Sequence, residues 1–314
     1  MCGSGKTIKK GKHRGVQRYR CHECNHLFQN ERRGSKKQGG KELWGDYVFG
    51  KQTFREMDYD KRTVRKLFKK YTAPKKDHRP RPVHLVADAT YFGERLEKTS
   101  WCVAVLRDPK TKENLVWQFA ETESTSLYAN LKQQLLDLGY TILSITADGF
   151  SGIQSAFSGI PYQMCQVHME RLVTRGTTKN PLTEAGVVLL ALIRTLHTTD
   201  SHTFNRRLDS YIEKYRNFLN EKTTNLLTHE QYWTHKELRS AVLSLMRYRK
   251  YLFTSEHNKK IPKTTNSLEG HFSHINEVIA VHRGLSRPQK QKVLNTILLA
   301  STVAPTKGKL RHVL

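Results

Sequence analysis

The chain has 314 residues, and its 54 Lys and Arg against 28 Asp and Glu give a formal net charge of +26. Such a charge favours a polyanionic partner, DNA first, with RNA or an anionic membrane surface as alternatives. No apolar segment follows the basic start, and the longest apolar stretch, at 187–193, is too short to cross a bilayer. These features exclude a secreted or membrane-spanning protein, and we expect a cytoplasmic one.

The first 30 residues contain half of a zinc-ribbon pattern. Cys21 and Cys24 form a CxxC, whose turn lets two thiolates reach one tetrahedral metal ion, and Cys2 is a third candidate ligand. A fourth ligand would be a thiolate before residue 1 or one of the nearby histidines. We predict a partial zinc ribbon over 1–30 that holds Zn²⁺ weakly. The alternative is a lone CxxC in a flexible basic tail.

Residues 41–72 follow a linker rich in Gly and Lys and show apolar residues at helical spacing. We predict three short helices: one around Tyr47, one at 54–57, and one capped by Asp60. This is the pattern of a helix-turn-helix, and its last helix, which would read DNA, is basic. The alternative is a small helical bundle with a solvated basic face. The residues predicted to contact DNA are Arg62, Arg65, Lys66, Lys69 and Lys70.

A different pattern begins near residue 80. Apolar runs at 83–93, 101–108 and 115–121 predict three strands, and leucines at helical spacing from Leu127 to Leu138 predict a helix that Gly139 ends. Runs at 141–149 and 162–168 predict two further strands with a short helix between them. The order β-β-β-α-β-α-β is that of the ribonuclease-H-like fold, an α/β fold with a mixed sheet. We assign this domain to 80–314, with a helical insertion over about 170–260.

Two aspartates fall on strands that this fold places side by side. Asp88 lies inside the first strand, and Asp148 closes the fourth. A buried aspartate is costly unless it is paired or binds a metal ion, and two adjacent carboxylates repel without a cation between them. The pair therefore predicts a Mg²⁺ site. The alternatives are a strand-end residue for Asp88 and an ordinary Asp-Gly turn for Asp148.

After the helical insertion, Glu269 is a candidate third metal ligand. It lies near the start of a predicted helix that returns to the sheet. The simpler explanation is a capping box, in which Asn266 caps the helix and Glu269 follows three residues later.

With these motifs in place, the chain resembles the Mutator-type DDE transposases of bacterial insertion sequences, in the variant with an N-terminal zinc ribbon. The matching segments are ADATYFG, TADG, CQVH and TTNSLEG. The resemblance implies that Asp88, Asp148 and Glu269 are catalytic and bind Mg²⁺ or Mn²⁺. It also implies that Asn266 and the CQVH residues Cys165 and His168 support the active site, although a satisfied core pair is the alternative for the last two.

The same resemblance implies a reaction and its partners. Two metal ions would promote hydrolysis at the element end, and the freed 3′-OH would attack target DNA. The expected partners are terminal inverted repeats, target DNA and a second copy of the chain. His282, Arg283 and Arg287 are predicted phosphate contacts, with a solvated basic tail as the alternative. Two other functions stay open: a non-catalytic DNA-binding protein or domesticated transposase remnant, and a ribonuclease-H-like nuclease without strand transfer.

Overall fold

The structure is a computed structural model that describes residues 2–13, 15–29, 40–57, 59–94, 99–282 and 284–300. The described residues form two compact units, one from 1–44 with 59–71 and the other from 45–58 with 72–314. Within these described ranges, no helix is both long enough and apolar enough to span a membrane.

The first unit begins with a small antiparallel sheet. Its strands are β1 (Thr7–His13), β2 (Val16–Cys21) and β3 (Leu27–Phe28), in the order β1-β2-β3. Tyr19 is the register partner of Phe28, and the two rings stack with centroids 5.9 Å apart. The sheet therefore presents Cys21 at the end of β2, where the CxxC turn begins.

Two helices follow, α1 (Gly40–Val48) and α2 (Lys61–Lys70). Asp60 caps α2 as predicted, because its carboxylate accepts a hydrogen bond from the backbone N–H of Thr63 at 3.0 Å. The ring of Trp44 packs edge-on against buried Phe68, with centroids 4.9 Å apart.

The predicted helix at 54–57 is wrong, because residues 54–56 form a turn. The carboxylate of Glu56 accepts the backbone N–H of Thr53 at 2.7 Å. Such a local bond between a side chain and the backbone competes with helical hydrogen bonding.

The second unit contains a mixed five-stranded sheet flanked by helices, which confirms the α/β class. Its strands are β4 (Pro82–Phe92), β5 (Trp101–Asp108), β6 (Glu113–Ala120), β7 (Thr141–Ala147) and β8 (Tyr162–Met164). The spatial order is β6-β5-β4-β7-β8. The first three are antiparallel neighbours, whereas β4, β7 and β8 run parallel. All of β5 is buried, as expected for a strand covered on both faces.

Helix α3 (Thr125–Asp137) and helix α4 (Ser151–Ala156) connect the strands. The predicted leucine repeat forms the buried face of α3, and Gly139 follows its end with a φ of +85°, a conformation that glycine adopts at little cost. The fifth strand is shorter than predicted. It ends at Met164, and Cys165 is already the N-cap of the next helix.

The region predicted to be an all-helical insertion is mostly helical. It contains α5 (Gln166–Thr177), α6 (Glu184–Arg194), α7 (Ser201–Leu219), α8 (Lys236–Tyr248), a 3-10 turn (Arg249–Tyr251) and α9 (Thr254–His257). The prediction is wrong between α7 and α8, where β9 (Lys222–Thr224) and β10 (Gln231–Trp233) form an antiparallel hairpin. The buried side chains of these helices belong to the same hydrophobic core as the sheet.

The chain then enters α10 (Asn266–Val281) and α11 (Arg287–Ala300), which pack on the sheet. On β6, Asn114 links both helices to the sheet. Its amide donates to Nε2 of His271 at 2.9 Å and to the carbonyl of Leu298 at 3.1 Å, and its oxygen accepts from Arg107 at 2.6 Å. Burial lowers the pKa of His271 to about 3, with Arg107 adding to the effect, so the ring is neutral and can accept this bond.

Candidate active site

The structure brings Asp88 and Asp148 to the same level on neighbouring parallel strands. In the register of β4 and β7, Val86 pairs with Thr146. Asp88 and Asp148 each follow two residues later, so continuing the register places them side by side. Adjacent strands lie about 4.8 Å apart, which sets the scale of their separation. The backbone of Phe150 donates a hydrogen bond to the carboxylate of Asp148 at 3.0 Å.

The electrostatics of Asp88 show a crowded anionic site. Its pKa is raised to about 7, mainly by burial and in smaller part by the nearby carboxylates of Asp148 and Glu123, while His168 opposes the rise. A carboxyl group in this position resists ionisation unless positive charge arrives. The site thus favours binding of a cation or of a proton.

Glu123 is a fourth acid at this site, and the sequence analysis missed it. It follows β6, and its carboxylate accepts hydrogen bonds from Tyr128 at 2.5 Å and Tyr91 at 3.2 Å. Burial raises its pKa, and Asp148 contributes to the rise. Glu123 lies in a connection with no periodic pattern. The only feature of the sequence that could have pointed to Glu123 is its position just after β6.

Glu269 lies in the first turn of α10, a helix that packs against β4. One carboxylate oxygen pairs with Arg171 at 2.8 Å, and the other lies 3.7 Å from Nδ1 of His168. That second oxygen, Oε1, is buried and has no hydrogen-bond partner among the described residues. The N-cap of α10 is Thr265 and not Asn266, and no side chain caps the helix, so the alternative explanation of Glu269 as part of a capping box is wrong. The exposed Asn266 is the first helical residue.

Cys165 and His168 form one cluster with Thr265. The backbone N–H and the hydroxyl of Thr265 both donate to Sγ of Cys165 at 3.4 Å, and the hydroxyl lies 3.3 Å from Nδ1 of His168. The hydrogen bond with Cys165 raises the pKa of His168 to about 9, with further contributions from Asp88 and Glu269. The raised pKa favours the protonated form of His168, and Cys165 is its largest cause.

Among the described residues, one group of three potential ligands brings all of its donor atoms within 4.8 Å of one another: Cys2, Cys21 and Cys24. The three acids form no such group in the described chain. Glu269 is instead paired with Arg171. Their sharing of a metal ion stays a prediction.

In the first unit, the three cysteines are arranged as a ligand set. Sγ of Cys2 lies 3.6 Å from Sγ of Cys21 and 3.4 Å from Sγ of Cys24. Backbone hydrogen bonds from the CxxC turn lower the pKa of Cys21 to about 7. This thiol is thus prepared to bind a metal ion as thiolate.

The predicted DNA contacts fall into four groups. The side chains of α2 point outward as predicted and are exposed: Arg62, Arg65, Lys66, Lys69 and Lys70. Arg287 instead forms a bidentate ion pair with Glu121, with N–O distances of 2.6 and 3.0 Å. His282 is only 4% exposed and stacks on Tyr47 at 3.9 Å, so its predicted contact with DNA does not fit the structure. Arg283 lies outside the described residues.

A family model described as Transposase IS66 family matches residues 65–273, about two thirds of the chain, a range that includes all three candidate acids. The resemblance to Mutator-type transposases is therefore wrong, because these are different transposase families. The comparison with curated proteins finds no match.

Proposed function

Because the chain belongs to the IS66 family of transposases, we propose that it cleaves DNA at the ends of an insertion sequence and joins the freed 3′-OH to target DNA. In this proposal Asp88, Asp148 and Glu269 are the catalytic acids. DNA is the partner that transposition requires, and the net charge of +26 suits it.

The observation that carries the proposal is the placement of Asp88 beside Asp148. The β4–β7 register brings the two carboxylates level, and burial together with mutual repulsion raises the pKa of Asp88 to about 7. A buried acid that only supports the fold is expected to be paired with a cation. No such ion pair is found for Asp88 or Asp148 within the described chain.

The strand order supports a ribonuclease-H-like fold for this unit. Three antiparallel strands precede two parallel ones, and the order β6-β5-β4-β7-β8 places the first strand of the sheet at its centre. The two aspartates lie on this central strand and directly after its parallel neighbour. Carboxyl ends of adjacent parallel strands are a common place for ligands in α/β folds.

The donor set suits a divalent metal ion. Hard oxygen ligands on Asp88 and Asp148 are those that Mg²⁺ or Mn²⁺ prefers, and the buried, unbonded Oε1 of Glu269 is a further oxygen donor. When bound, such ions would polarise the scissile phosphate and lower the pKa of the attacking water or 3′-OH. Glu269 would join the aspartates once its pair with Arg171 opens.

The remaining residues of the site would handle charge. His168, whose pKa is raised to about 9, partly balances Asp88 and Glu269 while the site is empty of substrate. Arg171 is more than half exposed, so its guanidinium can turn from Glu269 to a DNA phosphate. Both cations lie on α5, which begins directly after β8.

The proposal also assigns roles to the first unit. The exposed basic face of α2 would bind the terminal repeats, and the three cysteines would hold Zn²⁺. His282 is left out of the proposed DNA contacts because it is buried.

The test uses labelled element ends with Mg²⁺ or Mn²⁺ and the purified full chain. We expect Asp88→Asn, Asp148→Asn and Glu269→Gln each to abolish cleavage and joining while leaving DNA binding nearly unchanged. The exposed Glu213→Gln is the matched control and should remain active.

Other outcomes would point to the other functions. Nicked products without joined ones would favour a ribonuclease-H-like nuclease. Specific binding with no product from the unaltered chain would favour a non-catalytic DNA-binding protein.

A further inference from the structure

The hairpin between α7 and α8 ends in an apolar tip, which we define as the tip loop, residues 225–230. Leu226 and Leu227 are 87% and 92% exposed. The loop is nonetheless well ordered by its own bonds, because Oδ1 of Asn225 accepts the backbone N–H of Leu227 at 2.8 Å and of Thr228 at 3.3 Å. Two leucines held in water on a fixed turn indicate a contact surface.

Side-chain contacts also stabilise β9 and β10, the two strands that carry the tip loop. The ring of Trp233 lies between two cations, with Lys222 at 4.9 Å and Arg239 at 4.2 Å from its centroid. Thr223 and Thr234 share a hydrogen bond at 2.8 Å. The hairpin is thus a preorganised projection, which lowers the entropy lost when it docks.

Elsewhere in the same unit, α6 and α7 enclose an open pocket of about 500 Å³, here called the α6–α7 pocket. Part of its lining is apolar or aromatic and is here called the floor: Val188, Ala191, Leu192, Tyr211 and Tyr215. The pocket is large enough for two leucine side chains. No residue of the tip loop lines it, so the tip of a chain does not fill the pocket of that same chain.

The basic part of the lining, here called the rim, contains Arg206, Arg207 and Lys214. Lys214 is paired with Glu184 at 2.8 Å, which leaves Arg206 and Arg207 as the cations of the rim. Neither guanidinium has an acidic partner within the described residues. The tip loop has the opposite character: it contains no Lys or Arg, and its one charged side chain is the exposed Glu230.

We propose that the tip loop of one copy docks in the α6–α7 pocket of a second copy, and that the exchange is reciprocal across a twofold axis. Leu226 and Leu227 would cover the apolar floor, and Glu230 would meet Arg206 and Arg207. Each chain has one protruding feature and one recessed feature. When two identical chains dock reciprocally across a twofold axis, both features of both chains are used and the assembly is closed. DNA fits the tip loop less well, because a lone carboxylate repels phosphates.

The inference uses no property of the proposed active site, so it can be tested without DNA or metal ions. Sedimentation of the full chain at micromolar concentration should give a dimer. The double variant Leu226→Asp/Leu227→Asp and the single variant Val188→Asp should each weaken self-association about tenfold or more. The control Leu182→Asp, at a leucine that is fully exposed outside both features, should sediment like the unaltered chain.

Charge exchange tests the register of the contact. Arg207→Glu and Glu230→Arg should each weaken the dimer, and the double variant should recover it. Mixing differently tagged Leu227→Cys and Val188→Cys chains with added copper phenanthroline and oxygen, which oxidise the two thiols, should give a disulfide that peptide mapping assigns to these two positions in different copies.

Three results would overturn the proposal. The first is an unaltered chain that is monomeric throughout. The second is a dimer that the tip and pocket variants leave unchanged. The third is a tip variant that is folded by circular dichroism and loses DNA affinity without any change in mass, which would make the tip a DNA-binding element.

Discussion

Glu269 and Arg171 form an ion pair at 2.8 Å between α10 and α5, while the other oxygen of the glutamate is buried without a hydrogen bond. The pair occupies one oxygen of the carboxylate that we propose as the third metal ligand. Because Arg171 is more than half exposed, water screens the pair and it is weak enough to open.

We therefore predict that Arg171→Gln strengthens binding of Mn²⁺ about two- to fivefold, which corresponds to the strength of an exposed ion pair. Electron paramagnetic resonance of free Mn²⁺ measures the affinity directly. Arg175→Gln, one turn further along α5, is the matched control and should have little effect. Weaker Mn²⁺ binding in the Arg171 variant would show that the pair does not compete with the metal ion.

The three cysteines of the first unit should bind one Co²⁺ or Zn²⁺ per chain. Co²⁺ bound to thiolates gives charge-transfer absorption, so the titration is visible. Cys24→Ser should remove this signal, because two thiolates cannot hold the ion as three do. The buried Cys102, which lies in β5, is not part of the group, and Cys102→Ala should leave the cobalt spectrum unchanged. An unaltered spectrum in the Cys24 variant would exclude this site.

The basic face of α2 should contribute to DNA binding mainly through phosphates. We predict that Lys66→Ala lowers affinity for all sequences alike and reduces the slope of log K against log salt by about 1. Fluorescence anisotropy at several salt concentrations measures both effects. Lys110→Ala, at the exposed turn between β5 and β6, serves as the control. An equal change in the control would mean that net charge, and not this helix, determines binding.

His282 should make the fold sensitive to acid. Burial lowers its pKa from the ordinary value of 6.5, so the unfolded chain takes up this proton first as pH falls. The contribution to stability is present above pH 6.5 and is lost as pH drops towards the lowered value. His282→Phe keeps the stacking on Tyr47 and removes the titration, so the fall in Tm below pH 6.5 should be shallower than in the unaltered chain. If Tm falls equally steeply with pH in the two chains, the acid sensitivity does not come from His282.

The sequence predicts the sheet and its aspartates well, because strand patterns there are long and apolar. Asp88 and Asp148 interrupt such runs, and the parallel pairing of β4 with β7 follows from the order of elements. Helices α2 and α3 were also predictable, since Asp60 and the leucine repeat act within a few residues. These signals are local, and tertiary contacts reinforce them.

What the sequence could not show depends on distant contacts or very short elements. The sequence shows His282 only as a member of a basic, apparently exposed segment. Its ring is covered by Tyr47, which lies far away in the sequence. The strands β9 and β10 have three residues each, too few for a periodic pattern. Glu123 lies in a connection, where side chains follow no period. Short motifs indicate the Mutator-type family, which is wrong, because a few residues around each acid do not separate transposase families. The IS66 family model matches over a much longer segment, residues 65–273.

The hydrogen bonds from Asn114 to His271 and Leu298 limit the ways in which the carboxylate of Glu269 could reach the two aspartates. His271 follows Glu269 by two residues, so the backbone of α10 is fastened to β6 within a turn of the glutamate. A rigid-body shift of this helix would break hydrogen bonds made by the fully buried Asn114, which is costly. Rotation about the side-chain bonds of Glu269 breaks only its partly exposed ion pair. Assembly of the site would then need a rotamer change of Glu269 and no movement of a domain.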